Sequence, residues 1–192
     1  MKLNADELRK FDESQTLELP PRLPFYLIID DVWDTYNIGG LFRLADALAF
    51  EKIFICGQSE TPPNHRIKKA SIGTYKVVPW EYRESALETI KELRGEDRVI
   101  GGGGEEEGMK GKPRKIQIVA IEQAKDSISY TKIEYSFPLA LIVGNETHGV
   151  SHEALEAADH IAEIPLFGVN KSLNVIVSGA IVAFEAYNTV YG

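Results

Sequence analysis

Short apolar runs that alternate with helical patterns are the feature that most constrains this sequence. The apolar runs predict strands at 25–30, 52–56, 76–79, 116–121, 139–144 and 161–165. Helical spacing and capping signals predict helices near 38–49, 84–94, 150–158 and 172–190. Strands and helices that alternate in this way favour an α/β fold, with a mostly parallel sheet and helices on both faces.

Composition adds the size and class of the protein. The chain has 192 residues, of which 44% are hydrophobic and 26% charged, so it is long enough to bury a core. We expect residues 1–22 to form a short N-terminal arm and residues 23–192 to form the folded domain. The apolar runs are too short for a membrane span and the N-terminus is polar and acidic, which predicts a cytoplasmic protein without a membrane anchor. The single cysteine, Cys56, lies in an apolar run and is expected to be a buried structural thiol.

Net charge argues against a general nucleic-acid binder. The formal net charge is −8, whereas proteins that bind polyanions carry an excess of Lys and Arg. Two local basic runs, at 64–76 and 109–115, depart from this average. A solvated surface explains such runs most simply, and an RNA contact through Arg66, Lys68 and Lys69 is the alternative. The second run ends a stretch at 95–115, which contains four consecutive glycines and predicts a surface loop.

A polar loop between a predicted strand and a long apolar helix is the clearest candidate site. It lies within residues 161–185, where Pro165 and Gly168 interrupt the chain before the helix. Ser172 occupies the expected cap position, and Asn174 is expected just inside the helix. A helix cap alone would explain Ser172.

Two further polar segments follow predicted strands. In 139–151, an apolar strand ends in a glycine-flanked turn that exposes backbone amides and the carboxylate of Glu146. In 30–50, a polar loop leads to Asn37 and then to a helix that carries Arg43. Taken singly, each residue has a plain structural explanation, because Asn37 could cap a helix and Arg43 could be an exposed helical residue.

The order and spacing of the three segments resemble a known family. Asn-x-Gly-x-x-x-Arg is followed by Gly-x-Glu-x-x-Gly, and then by Ile-Pro and Ser-Leu-Asn-Val. This pattern resembles the SpoU (TrmH-like) family of RNA ribose 2′-O-methyltransferases, within the SPOUT class. The resemblance covers the chain from about residue 25 to its end.

The resemblance implies a SPOUT-type fold with a C-terminal trefoil knot and S-adenosylmethionine as cofactor. It implies an RNA substrate, with tRNA preferred and rRNA as the alternative, and a homodimer formed through the helices that flank the knot. The catalytic residues that it implies are Asn37, Arg43, Glu146, Ser172 and Asn174. The cofactor contacts, largely through backbone groups, are Ile121, Glu122, Gly144, Ile164, Leu166 and Leu173. In the family, the arginine of the first motif helps to deprotonate the ribose 2′-OH together with an RNA phosphate, a role that falls on Arg43.

Other classes of protein fit less well. Val150 replaces the lysine that a P-loop requires, which argues against an ATPase. Glu156 replaces the second histidine of a zincin helix, so we expect no metal site. A non-catalytic knotted RNA-binding or assembly factor stays open as the alternative from another class. The acidity of this sequence favours that alternative, whereas its intact motif residues favour the enzyme.

Overall fold

The computed structural model describes residues 2–11, 19–95 and 115–192. In these ranges the strands are β1 (Leu23–Asp30), β2 (Phe50–Cys56), β3 (Trp80–Arg83), β4 (Gln117–Ile121), β5 (Ile128–Ser129), β6 (Leu139–Val143) and β7 (His160–Glu163). The helices of the same ranges are α1 (Ala5–Lys10), α2 (Thr35–Ala47), α3 (His65–Ser71), α4 (Ala86–Arg94), α5 (His152–Ala157) and α6 (Val175–Tyr191). Apart from Gly95 and Lys115, the predicted loop at 95–115 and its basic end lie outside the described residues.

The strands form one parallel sheet. Over the described ranges its order is β3-β2-β1-β6-β4-β7-β5, and each registered pair of strands is parallel. The chain builds the sheet outward from β1 to β3 and then continues on the other side of β1. Ligands of open α/β sheets bind at the carboxyl ends of the strands where the order reverses, which here is between β1 and β6. The predicted α/β fold is therefore confirmed, whereas the knot stays a prediction.

Alternate residues of a strand point to opposite sides of the sheet. Because the central strands are apolar at consecutive positions, both faces of the sheet are apolar. On one face, Leu27 and Ile29 of β1 belong to a core that includes residues of α2 and α6. On the other face, Ile28 belongs to a second core, which includes Ala86 of α4 and Ala154 of α5. The helices therefore cover both faces, as predicted.

The two helices that carry motif residues begin at different positions from those predicted. Helix α2 begins three residues early because the side chain of Asp34 accepts a hydrogen bond from the Tyr36 amide at 2.8 Å. Asn37 consequently lies inside the helix, where it is buried, and the capping explanation of Asn37 is wrong. Helix α6 begins at Val175, since the Asn174 side chain accepts from the Ile176 amide at 2.9 Å. The prediction that Ser172 caps this helix, with Asn174 inside it, is also wrong.

The region between β2 and α4 departs most from prediction. The strand predicted at 76–79 is wrong, because Thr74–Lys76 forms a 3-10 turn and β3 begins only at Trp80. Ile72 and Gly73 before the turn have φ of 57° and 94°, a left-handed conformation that ends α3. Helix α3 was not predicted, since its sequence was interpreted only as a basic run. Its N-cap is Asn64, whose side chain accepts a hydrogen bond from the Arg66 amide at 2.9 Å.

The N-terminal arm packs on the domain next to this turn. The Lys76 ammonium donates to the carbonyl oxygens of Phe11 at 2.5 Å and Arg9 at 3.3 Å. A Cβ on Gly73 would lie 2.6 Å from the Leu8 carbonyl oxygen, so the close approach of the arm requires glycine there. The boundary of the arm at residue 22 stays a prediction.

Two further expectations concern burial and membranes. Cys56 is a free, buried thiol, as predicted, and burial raises the pKa of this thiol to about 12. None of the helices in the described ranges combines the length and apolar character needed to cross a bilayer.

Candidate functional site

The carboxyl ends of β1, β4, β6 and β7 lie side by side, and the loops that follow β4, β6 and β7 surround a cavity of about 560 Å³. Of the residues predicted to contact a cofactor, those that line this cavity are Ile121, Glu122, Gly144, Leu166 and Leu173. Ile164 does not belong to the lining and is instead partly buried against the core. Three of the predicted catalytic residues, Glu146, Ser172 and Asn174, also line the cavity.

A chain of hydrogen bonds joins the three motifs at the edge of this cavity. The Asn37 side-chain amide donates to Oε1 of Glu146 at 2.8 Å, and the Asn174 amide donates to Oδ1 of Asn37 at 2.9 Å. Asn174 in turn accepts from the Ile176 amide, which anchors the chain to the start of α6. The structure thus brings together Asn37, Glu146 and Asn174, which are far apart in sequence.

Glu146 is held by more than this one side chain. Its carboxylate also accepts from the backbone amides of Trp33 and Asp34, each at 3.2 Å. Desolvation alone would raise the pKa of Glu146, but the hydrogen bonds from Asn37, Trp33 and Asp34 outweigh it and hold the pKa below the ordinary value. The carboxylate therefore stays ionised and fixed at neutral pH, with its oxygens occupied by donors from the first motif.

The turn that carries Glu146 is braced by its neighbour Asn145, which the sequence interpretation missed. The Asn145 side-chain amide donates to the carbonyl oxygen of Asp31 at 2.7 Å. Its side-chain oxygen accepts from the amides of Thr147 at 2.8 Å and His148 at 3.0 Å. An asparagine followed by three polar residues and a glycine is a turn signal of this kind, so Asn-Glu-Thr-His-Gly could have indicated it.

Two further residues close the same turn. A Cβ on Gly144 would lie 2.2 Å from the carbonyl carbon of Gly149 and from the amide nitrogen of Val150, so only glycine fits there. Glu122 accepts from the Val150 amide at 3.0 Å and from the Gln123 amide at 2.8 Å. Glu122 therefore supports the turn as well as lining the cavity.

The opposite wall of the cavity is formed by Leu166 and residues 170–173, which belong to an open segment at 165–173. The side chains of Phe167 and Val169 are 97% and 102% exposed. A Cβ on Gly168 would meet no atom within 4 Å. Gln123 makes one contact with this wall, through a hydrogen bond of 3.0 Å to the carbonyl oxygen of Lys171. Ser172 is exposed and lines the cavity from this wall.

Arg43 is not brought to the other motif residues within one chain. It lies six residues after Asn37 on α2, about 9 Å further along the helix and on a different side of it. Its side chain is exposed, does not line the cavity, and makes no hydrogen bond or ion pair with any residue that the structure describes.

The predicted RNA-binding residues form a separate basic surface. Arg66, Lys68 and Lys69 are all exposed on α3. A smaller cavity, of about 300 Å³, is lined by residues of α3, the following turn and the arm, namely Arg9, His65, Lys68, Lys69, Gly73, Tyr75 and Lys76.

An open parallel sheet with a cavity at adjacent strand ends defines an α/β protein of the class to which solved RNA methyltransferases belong. A crystal structure of AdoMet-bound rRNA methyltransferase from Sinorhizobium meliloti matches with a TM-score of 0.71 and 26% identity, over 96% of this chain and 61% of that one. The sequence profile of the SpoU rRNA Methylase family matches residues 24–108 and 105–184. This chain therefore belongs to the SpoU rRNA methylase family, which confirms the resemblance seen in the motifs.

Two curated relatives show how far the similarity extends. The TrmH-family protein YacO of Bacillus subtilis (strain 168) is 26% identical over 164 residues, which cover 85% of this chain and 58% of YacO. The tRNA (guanosine(18)-2′-O)-methyltransferase of Aquifex aeolicus (strain VF5) is 44% identical over 75 residues, 39% of this chain and 36% of that protein. The chain thus spans little more than half the length of YacO.

Proposed function

We propose that this chain is an S-adenosylmethionine-dependent RNA methyltransferase that modifies a ribose 2′-OH, with tRNA as the preferred substrate and the cytosol as its location. The observation that carries the proposal is the hydrogen-bonded chain from Glu146 through Asn37 to Asn174, beside the larger cavity. Membership of the SpoU family supports the reaction class. The name of the Aquifex aeolicus relative supports tRNA as the substrate and the 2′-oxygen as the methylated atom.

The larger cavity fits the proposed cofactor in size and chemistry. Its volume of about 560 Å³ falls within the range of about 300–1,000 Å³ for small-molecule sites. Leu166, Leu173 and Ile121 offer apolar surface for an adenine ring, and Gly144 lets two backbone segments close one wall. Bound there, S-adenosylmethionine supplies the methyl group as an electrophilic sulfonium.

The protein residues have to orient the ribose and assist the loss of its hydroxyl proton. Glu146 already accepts three hydrogen bonds, so we assign it the positioning of Asn37 and of the loop before α2. Arg43 is exposed and unpaired among the described residues, and its guanidinium is suited to clamp an RNA phosphate. Ser172 is exposed and lines the same cavity, so its side chain is available to the substrate.

A homodimer would bring a second copy to Arg43. Val177, Phe184 and Tyr191 of α6 are each 46–47% exposed and lie seven residues apart, which places them on one stripe of the helix. Gly40 of α2, three residues before Arg43, lies against Ile176 at the start of α6, next to Val177 of this stripe. We therefore propose that α6 forms the dimer interface, which stays a prediction here. Phe184→Glu should shift sedimentation of the chain toward a monomer, and an unchanged sedimentation coefficient would contradict the proposed interface.

The test of function is methyl transfer from labelled S-adenosylmethionine to unmodified tRNA and rRNA, followed by mapping of the methylated ribose. Label in tRNA at a 2′-oxygen is the expected result. Label in rRNA would keep the reaction and change the substrate. Absence of label in both RNAs, while the chain binds S-adenosylmethionine, would favour the non-catalytic RNA-binding factor.

A further inference from the structure

A second cavity lies on the far side of the turn that carries Glu146. Its volume is about 470 Å³, and Asn145 and Gly149 of the turn line both cavities. The other residues that matter to its chemistry are Asp30, Asp31, Trp33, Gln58 and His148. The proposed reaction uses none of these side chains, so the cavity needs an explanation of its own.

An exposed aromatic side chain forms one wall of this cavity. The Trp33 side chain is 52% exposed, and its ring meets the His148 ring edge-to-face, with centroids 6.0 Å apart and planes at 77°. The backbone amide of Trp33 donates to Glu146, and that of His148 donates to Asn145. The turn that positions Glu146 therefore also fixes the backbones that carry both rings.

The charges of the cavity select among possible ligands. Asp30 is buried, with 4% of its surface exposed, and its carboxylate accepts from the Ser151 amide at 2.8 Å. Asp31 adds a second carboxylate to the lining. Two carboxylates disfavour a phosphate, whereas a flat ring with polar edges can stack on Trp33 and donate hydrogen bonds to acceptors at the rim.

We propose that the second cavity binds a nucleobase of the RNA substrate, stacked on Trp33. The identity of the ligand as RNA rests on the proposed function. The two cavities share the turn at Gly144–Gly149. A base in the second cavity would therefore keep its nucleotide beside Glu146 and beside the larger cavity. Stacking on an aromatic side chain is how proteins commonly hold unpaired bases.

Intrinsic fluorescence offers a test that needs no methyl transfer. The chain has two tryptophans, Trp33 and Trp80, so Trp80→Phe leaves Trp33 as the sole tryptophan emitter. This variant would be titrated with a single-stranded oligoribonucleotide and with an abasic backbone of the same length and charge. We expect the first to quench the emission of Trp33 and the second to leave it unchanged. Equal quenching by both, or no quenching by either, would overturn the proposal.

Trp80 packs partly against the core, so a second comparison avoids reliance on that variant. The difference in quenching between the unmodified chain and Trp33→Phe reports on the same ring. For an active enzyme, Trp33→Ala should raise KM for RNA about tenfold, and Trp33→Phe should raise it less, since phenylalanine keeps a stacking face. Ile128→Ala is the control, because Ile128 is a large apolar side chain, exposed at 40%, that lies on β5 and lines neither cavity.

The two proposals fail in different ways. If no RNA is methylated but bases still quench Trp33, the base site stands and the enzyme proposal falls. If ribose methylation occurs, but Trp33→Ala keeps the KM of the unmodified chain and bases do not quench, the base site falls and the enzyme stands.

Discussion

The two walls of the larger cavity are built in opposite ways. The turn at Gly144–Val150 is held by a hydrogen bond that the Asn145 side chain donates and one that the Glu122 carboxylate accepts, with backbone atoms packed too closely for a Cβ at Gly144. The loop at 165–173 exposes Phe167 almost completely. One wall is complete within a single chain, whereas the other offers apolar surface to a bound molecule or a second copy.

Removing the carboxylate from the braced wall should have the largest effect. Glu146→Ala deletes the acceptor of three hydrogen bonds and releases Asn37 and the loop before α2. We expect methyl transfer to fall about 100-fold, since catalysis of this kind depends on orientation. The measurement is kcat on the RNA that the unmodified chain methylates. Glu153→Ala, an exposed glutamate of α5, is the control and should retain its activity. Equal activity of both variants would contradict the role of Glu146.

A matched pair of glycine substitutions tests the two walls directly. Gly144→Ala forces a Cβ against backbone atoms at 2.2 Å, so the turn has to move. We expect a loss of about 2 kcal/mol or more in the free energy of unfolding and weaker cofactor binding. Gly168→Ala meets open space and should change the free energy of unfolding by less than about 0.5 kcal/mol. Denaturant titration of both variants measures these free energies of unfolding. Similar losses in the two variants would show that the two walls do not differ.

Truncation of the open wall should spare the fold and affect binding. Phe167→Ala removes a side chain that is 97% exposed, so the free energy of unfolding should stay within about 0.5 kcal/mol of the unmodified chain. If the loop closes on the cofactor or on a second copy, affinity for one of them should fall several-fold. Calorimetric titration with S-adenosylmethionine and sedimentation at several protein concentrations would detect the two cases. No change in either would mean that Phe167 serves neither contact.

The pH dependence of stability should show the smallest effect. Because the folded-state pKa of Glu146 is lowered, the hydrogen bonds to its carboxylate stabilise the fold above the ordinary glutamate pKa of about 4.3. That contribution is lost as pH falls through the lower folded-state pKa. We expect less than about 1 kcal/mol, since the side chain is partly solvated. Glu146→Gln cannot titrate, so the unmodified chain should lose more stability than the variant between about pH 5 and 3. Stability would be measured by urea titration at each pH. The same loss of stability in the unmodified chain and in the variant would contradict this prediction.

The sheet was predictable because its strands are short apolar runs with clear boundaries. The error at 76–79 arose from Val77 and Val78, which are buried as a strand would require but follow a 3-10 turn. Burial alone does not distinguish the two conformations. The cap of α6 was misplaced by two residues because Ser172 and Asn174 are both good cap residues, and only the hydrogen bond to Ile176 decides between them.

The proximity of three candidate residues was predictable from the motifs, and the hydrogen bonds between them were not. Motif order identified Asn37, Glu146 and Asn174, but the hydrogen bonds that join them depend on tertiary structure. The separation of Arg43 from these residues depends on where the side chain projects from α2, which motif spacing does not show. The second cavity could not be predicted either, since Trp33 and His148 are far apart in the sequence.

The most direct test of the central claim is ribose methylation by Arg43→Ala, measured together with binding of S-adenosylmethionine. Arg43 is exposed and unpaired among the described residues, so its removal should leave the fold and cofactor affinity unchanged. We predict that binding is retained while methylation of the RNA 2′-oxygen falls by about 100-fold. Unchanged ribose methylation in the variant would contradict the account.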